Sequence, residues 1–235
     1  LAFSQKGERV NIVLDKIYNA ADSIELKLYY HGTPAADPGG WGGFYFSGDY
    51  AFNLGVGFSV SPHSFGRAWF PCVDEFPMKS SYEFFIETDS NYTAACNGLL
   101  IGVSGIQGAK IWHYYEPVPM SAYLAAVSVS KYSIVGSSFS GINKSFPVEL
   151  FCKSSDSNKV KASFVHLPDA LEAFENAFGP QVYSKVGYNF VPFNAGAMEH
   201  AGNITFPAGF ADGTFKYEEM MAHELSHHWW GDNVT

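Results

Sequence analysis

The stretch Tyr82-Glu83-Phe84-Phe85-Ile86-Glu87-Thr88 indicates the class of fold, because apolar residues recur in it at every second position. In a β-strand such residues lie on one face of the sheet. The same alternation runs through residues 23–30, and residues 121–135 form another β-favouring stretch. Turn-forming residues separate these stretches, as in residues 33–43 and at Asn97-Gly98. Short strands with this spacing predict an antiparallel sandwich or saddle.

The period of the apolar residues changes after about residue 152. Apolar residues then recur at intervals of four and three, which places them on one face of a helix. These residues are Val160, Phe164, Leu167, Leu171, Phe174 and Phe178. Pro168 either kinks this helix or opens a second one, and Gly179-Pro180 ends it. Residues 186–193 are predicted to form a strand, and a further helix is predicted to begin near Phe215.

Length and composition are those of a folded protein with a substantial core. The 235 residues are 47% hydrophobic, and no apolar run approaches the length of a membrane span. We predict a mostly β N-terminal domain over residues 1–150, incomplete at its start, and the beginning of an α+β domain over residues 151–235. The net charge of −9, without any basic run, argues against binding of nucleic acid. Few charged residues and many Ser, Gly, Asn and Tyr favour an extracytoplasmic or secreted protein over a cytoplasmic one.

The three cysteines are Cys72, Cys96 and Cys152, and they lack the C-x-x-C spacing of a thiolate zinc site. One disulfide with one free thiol is possible from the sequence. Free, buried thiols are the expected state, since cysteine is a common core residue.

The sequence His223-Glu224-Leu225-Ser226-His227 predicts a zinc site, with a chance match of this short motif as the alternative. On a helix, residues four apart lie on one face, so both imidazoles can reach one zinc ion at about 2.0–2.1 Å. Glu224 then lies beside the metal, where it can take a proton from zinc-activated water and pass it to a leaving amine. Residues 216–230 carry an apolar stripe and contain no Pro or Gly, as such a helix requires.

A catalytic zinc site uses three protein ligands. No candidate follows His227 within the chain. The adjacent His228 faces about 100° away around the helix, so it is expected to pack rather than to bind metal. Glu199 and His200 lie upstream and could in principle supply the third ligand.

Further motifs resemble those of the aminopeptidase N family of zinc peptidases. Gly196-Ala197-Met198-Glu199-His200 is similar to the family's G-x-M-E-N segment, which also precedes H-E-x-x-H. Trp229-Trp230-Gly231-Asp232-Asn233-Val234-Thr235 is similar to its W-x-G-x-x-V-T tail. The signature of the family's N-terminal β domain resembles Gly66-Arg67-Ala68-Trp69-Phe70-Pro71-Cys72-Val73-Asp74 with Lys79, and Cys96-Asn97-Gly98. The resemblance covers nearly the whole chain in a consistent order.

This resemblance implies a saddle-like β domain followed by the start of a thermolysin-like catalytic domain. It also implies an aminopeptidase that removes N-terminal residues from peptides with a free amino terminus. His223 and His227 would bind zinc, and Glu224 would be the general base. The residues expected to bind substrate are Gly196, Ala197, Met198 and Glu199. Among them, Glu199 would pair with the free α-amino group and fix its distance from the zinc.

The sequence departs from the family pattern at three places. The family's third ligand is a Glu that would fall near position 246, and its transition-state-stabilising Tyr lies further on, so both are beyond Thr235. His200 stands where the family usually has Asn, and it is a candidate to touch the substrate or to support residues that do. Pro62 stands where many members place an acidic residue or Gln before Arg67, so a second anchor for the amine is expected to be absent.

These departures indicate a truncated chain, which is expected to bind zinc weakly and to lack peptidase activity by itself. Two other functions are compatible with the motifs. A thermolysin-type endopeptidase needs H-E-x-x-H but not the segment Gly196 to Glu199. A catalytically dead, peptide-binding homologue would keep the fold without a Glu near position 246.

Overall fold

The computed structural model describes residues 1–234 and divides into two units. The first, Leu1–Gly32, contains the antiparallel hairpin of β1 (Ala2–Lys6) and β2 (Arg9–Val13). The strand predicted over residues 23–30 is wrong, because the structure has no strand there. Ile24, Leu26 and Leu28 are between 42% and 46% exposed, so the alternating pattern has no buried face to stabilise it.

The second unit begins at Thr33 and carries the remaining elements. Its strands are β3 (Gly43–Ser47), β4 (Tyr50–Leu54), β5 (Lys79–Asp89), β6 (Thr93–Cys96), β7 (Leu99–Ile106), β8 (Ala109–Ser121), β9 (Val127–Ser130), β10 (Ser133–Ser140), β11 (Ser145–Cys152), β12 (Val186–Val191) and β13 (Ile204–Pro207). Its α-helices are α1 (Ser157–Ser163), α2 (Leu167–Phe178) and α3 (Glu218–Ser226).

Two antiparallel sheets make up most of the unit before residue 133. One has the strand order β3-β4-β9-β6, and the other has the order β5-β8-β7. The stretch that begins at Tyr82 lies in β5, where it pairs with β8 over most of its length. The mostly β architecture predicted from the sequence is therefore confirmed.

A mixed sheet with the order β10-β11-β12-β13 supports the helices. Strands β10 and β11 are antiparallel, whereas β12 runs parallel to both β11 and β13. Helices α1 and α2 connect β11 to β12, which is the crossover that two parallel strands require. Residue 150 lies inside β11, and the domain boundary near it stays a prediction.

The helices follow the predicted pattern with two corrections at α3. Pro168 lies in the first turn of α2, so it opens a second helix, and Gly179 (φ 94°) ends that helix. Helix α3 begins at Glu218 rather than near Phe215. It also ends at Ser226 rather than near residue 230, because the chain tightens into i→i+3 bonds, such as that from His228 N to the Leu225 carbonyl.

Two apolar clusters form the core of the second unit. One joins α1, α2 and α3 to the mixed sheet through residues such as Phe164, Tyr188 and Leu225. The other lies between the antiparallel sheets and includes Met198. The three cysteines are free, as expected, with Cys96 and Cys152 buried and Cys72 half-buried.

Candidate active site

Helix α3 holds the two histidines of the metal motif against the mixed sheet. Its buried residues are Met221, Glu224 and Leu225, of which Met221 and Leu225 belong to the helix–sheet core. The hydroxyl of Tyr188 on β12 donates to the Met221 carbonyl at 2.9 Å. These contacts fix the rotation of the helix, so His223 is exposed and His227 caps its C-terminal end.

The two imidazoles converge on one point. The Nε2 atoms of His223 and His227 are 3.3 Å apart, and the rings are nearly perpendicular, at 86°. Two nitrogens that share a tetrahedral zinc ion at about 2.05 Å are themselves about 3.3 Å apart, so the pair fits zinc. His227 Nδ1 lies 3.0 Å from the carbonyl of Trp230. Donation to that carbonyl leaves Nε2 with a lone pair for the metal, as is usual for a metal-binding histidine.

Glu224 lies between the helix and the protein interior, only 7% exposed. Burial and then the nearby charge of Glu199 raise its pKa to about 8. Asp232 is fully buried, and burial followed by the charge of Glu199 raises its pKa well above the ordinary value. Three carboxyl groups thus influence one another beside the imidazole pair, so the site favours cations.

Residues 196–200, which include Glu199, form an edge segment next to β13. Met198 exchanges both of its backbone hydrogen bonds with Thr205, at 2.8 and 2.9 Å, and its side chain is buried in the core. In such a pair the neighbouring residues point their backbone groups the opposite way. The backbone of Ala197 and Glu199 is therefore directed away from β13, where an extended peptide could pair with it.

His200 lies in the interior, with no exposed surface. The Asn53 amide donates to its Nε2 at 3.2 Å, and its Nδ1 donates to the hydroxyl of Thr205 at 3.1 Å. That hydroxyl in turn donates to Asn189 on β12. Burial lowers the pKa of His200 to about 3, so the ring is neutral. In this position it links β4 to the edge segment and does not face solvent.

Two residues quoted only as family signatures hold the site together. Asn97 is fully buried and donates to the carbonyls of Leu124 and Ala201, at 2.9 and 2.6 Å. Lys79, at the start of β5, donates through Nζ to the carbonyls of Asp232 and Asn233 at 2.8 and 2.9 Å. The sequence predicts neither role, because the bonds from Asn97 to Ala201 and from Lys79 to Asp232 join residues more than 100 positions apart.

A cavity of about 480 Å³ opens beside the imidazole pair. One wall comes from α3 and the residues before it, and the opposite wall comes from the edge segment and the loop before β3. Its lining consists of Trp41, Gly196, Ala197, Lys216, Tyr217, Glu219, Met220, His223 and Glu224. The structure thus brings His223, Glu224, Gly196 and Ala197 to one cleft.

Within residues 1–234, no group of three or more His, Cys, Asp or Glu side chains is arranged to hold a metal ion. Glu199 and His200 therefore do not complete the imidazole pair in this conformation. The Glu expected near position 246 lies outside the described residues. Arg67, which belongs to the β-domain signature, pairs with another residue of that signature. Its guanidinium donates to the Asp74 carboxylate at 2.7 Å.

Comparison with known proteins places the chain in a family. The model of the peptidase M1 N-terminal domain matches residues 2–124, which is about half of the chain, so the chain belongs to this family. The resemblance to aminopeptidase N and its relatives is thereby confirmed.

Named relatives support the same assignment. Aminopeptidase M1-B of Oryza sativa subsp. japonica is 30% identical over 186 residues, and aminopeptidase N of Streptomyces lividans is 28% identical over 181 residues. Each match covers 72% of this chain but 20% of the relative. The chain therefore spans about a fifth of the length of these relatives.

Solved structures share the fold. An M1 zinc metallopeptidase from Deinococcus radiodurans superposes with a TM-score of 0.71 at 21% identity, covering 87% of this chain and 46% of that one. A mutant two-domain M1 zinc metallopeptidase bound to L-arginine gives a TM-score of 0.74 at 22% identity.

No helix in the described part of the chain is long and apolar enough to cross a membrane.

Proposed function

We propose that the protein acts as a zinc aminopeptidase, which removes residues one at a time from peptides with a free amino terminus. The observation that carries this proposal is the fit of the His223 and His227 nitrogens, 3.3 Å apart, to one zinc ion. The presence of Glu199 beside Glu224 favours an exopeptidase. An endopeptidase needs no carboxylate for a terminal amine, so nothing in the structure favours the thermolysin-type alternative.

Each residue has a task that its position allows. His223 and His227 would hold the metal, with the third ligand expected near position 246. The backbone of Ala197 would pair with an extended substrate along the free edge. Glu199 would bind the α-amino group and so fix which peptide bond enters the site.

Glu224 would move the proton. Its buried carboxyl group lines the same cleft as His223, where its ionised form can accept a proton from water and donate it to the departing amine. Zinc, when bound, would supply Lewis acidity for the scissile carbonyl and for water.

The proposal is tested by Glu224→Gln in the full-length protein. The substitution keeps the size of the side chain but removes the base, so we expect kcat on leucine p-nitroanilide to fall about 10³-fold. Zinc content, measured by elemental analysis, should not change. Glu172→Gln, on the exposed face of α2, is the matched control and should retain full activity.

The same assay distinguishes the alternatives. Hydrolysis of N-acetylated peptides at the same rate as free ones would show an endopeptidase. Binding of peptides without any turnover, in a protein that contains zinc, would show a catalytically dead homologue.

A further inference from the structure

Trp41 is presented to the cleft by a glycine-rich turn. It is the only residue with a side chain in the run Gly39-Gly40-Trp41-Gly42-Gly43. The backbone of this turn is fixed by Asp37, whose carboxylate accepts hydrogen bonds from the amides of Phe58 and Ser59 at 3.1 and 3.2 Å. Gly42 has φ +91°, and a Cβ there would lie 1.9 Å from the Val56 carbonyl oxygen. These contacts hold the turn against residues 56–59, and Trp41 supplies its one side chain.

The indole lies directly on the edge segment. It stacks with Phe58 at 5.6 Å and meets Phe193 edge-on at 5.0 Å, which holds its plane. Its Cη2 atom would be only 2.6 Å from a Cβ at Gly196, where φ is +149°. Gly196 is thus required by this contact, and Trp41 forms a wall of the same cavity as His223.

The position of the wall indicates which part of a substrate it would contact. Under the proposed function, Glu199 holds the amino group of the first residue. Gly196 is three residues away, which is about 10 Å along an extended edge. Glu199 does not line the cavity, whereas Gly196, Ala197 and His223 do. The cavity therefore extends from the imidazole pair away from the amino terminus of the bound peptide. It reaches the place where the residue after the scissile bond would lie.

The walls favour an apolar occupant at that position. Besides the indole, the cavity is lined by Ala197, Tyr217 and Met220, with Lys216 and Glu219 also present. A flat aromatic wall gains most from stacking against another ring.

We propose that Trp41 determines specificity for the second residue of the substrate, and that it favours aromatic and large apolar side chains there. This inference rests on the proposed function. Trp41 acts on binding of the leaving part of the peptide, and it takes no part in proton transfer.

The test measures kcat/KM of the full-length protein on the amides Leu-Phe-NH₂, Leu-Leu-NH₂, Leu-Ala-NH₂ and Leu-Glu-NH₂. In Trp41→Ala the ratio of kcat/KM for the Phe substrate to that for the Ala substrate should fall about tenfold, because the stacking surface is lost. Trp41→Phe should retain most of the ratio. Phe46→Ala removes an exposed aromatic on β3 and is the control, with an unchanged ratio.

The outcomes separate the two proposals. If the unmodified protein releases leucine from none of these amides, the proposed function fails and this inference with it. If it releases leucine but Trp41→Ala keeps the ratio, the inference alone is overturned. Should Trp41→Ala not fold, Trp41→Leu against Trp41→Phe decides, since equal ratios in these two variants would contradict stacking.

Discussion

At the scale of single residues, His200 shows how a departure from the family motif is accommodated. Its ring accepts from Asn53 and donates to Thr205, so both nitrogens are satisfied in a site without solvent. His200→Ala would leave the Asn53 amide and the Thr205 hydroxyl each short of one buried partner. We expect the free energy of unfolding at pH 7 to fall by about 3 kcal/mol.

The cost of this substitution should depend on pH. Burial lowers the pKa of His200 from 6.5 to about 3 in the folded protein, so between these values the unfolded chain binds a proton that the folded chain does not. The unmodified protein therefore loses stability as pH falls below about 6.5, by about 1.4 kcal/mol per pH unit from this group. The difference in unfolding free energy between the unmodified protein and His200→Ala should therefore shrink to about 1 kcal/mol at pH 5.

Urea unfolding at pH 7 and at pH 5 measures both effects. His31→Ala, which removes an exposed histidine, is the control and should change the unfolding free energy by less than about 0.5 kcal/mol. A difference for His200→Ala that grows on acidification would show that the buried ring is protonated in the folded state.

At the scale of secondary-structure elements, Lys79 ties the first residue of β5 to the turn that follows α3. That turn also supplies the Trp230 carbonyl near His227 Nδ1 at 3.0 Å. Lys79→Met removes two charge-assisted hydrogen bonds to the carbonyls of Asp232 and Asn233. The turn then loosens, and with it the orientation of His227. Residues that orient a metal ligand typically contribute 10- to 100-fold in affinity, so we expect zinc to bind about tenfold more weakly.

Competition with a chelator measures this change in a chain extended past position 246. Lys110→Met removes a lysine from β8 at the far end of the same sheet, and it should leave zinc affinity unchanged. An unchanged affinity in Lys79→Met, with the protein folded, would show that the turn is held without this lysine.

The elements also show what the sequence can and cannot predict. The strand at Tyr82, the two helices around Pro168 and the strand beginning at Val186 follow from period and turn residues, because each packs an apolar face on its neighbours. Residues 23–30 have the same alternation but form no strand, since alternation does not by itself supply a buried face. The apolar stripe over residues 216–230 does not predict the end of α3 at Ser226, because the turn at Gly231 is held by tertiary bonds from Lys79 and Tyr123.

The sequence predicts the part of the site that depends on local spacing. His223 and His227 are four residues apart, which is enough to bring them together on a helix. The contacts of Asn97 and Trp41 depend on which segments meet in the fold, and no local pattern encodes that. The sequence gives Trp41 no feature beyond that of a loop residue, and only the fold places its ring against Gly196.

At the scale of the whole molecule, the antiparallel sheets and helix α3 are parts of one unit that starts at Thr33. The buried amide of Asn97 and the ammonium of Lys79 each cross from the sheets to the segments of the site. The antiparallel sheets therefore help to position the residues of the site. Under the proposed function, substitutions in β5 would for the same reason change zinc binding although β5 supplies no ligand.

The last prediction concerns zinc as a ligand of the folded state. Two imidazoles leave the coordination shell incomplete, so the chain of 235 residues should retain little zinc, whereas a chain extended past position 246 should hold one ion per molecule. Free zinc at about a thousandfold above the Kd adds about 4 kcal/mol of stability, which is about 10 °C in Tm for a chain of this size. Only the extended chain should show this shift, and His227→Ala should abolish it. Equal zinc content in both chains would place a third ligand within these 235 residues, and zinc in neither would favour a peptide-binding homologue without catalysis.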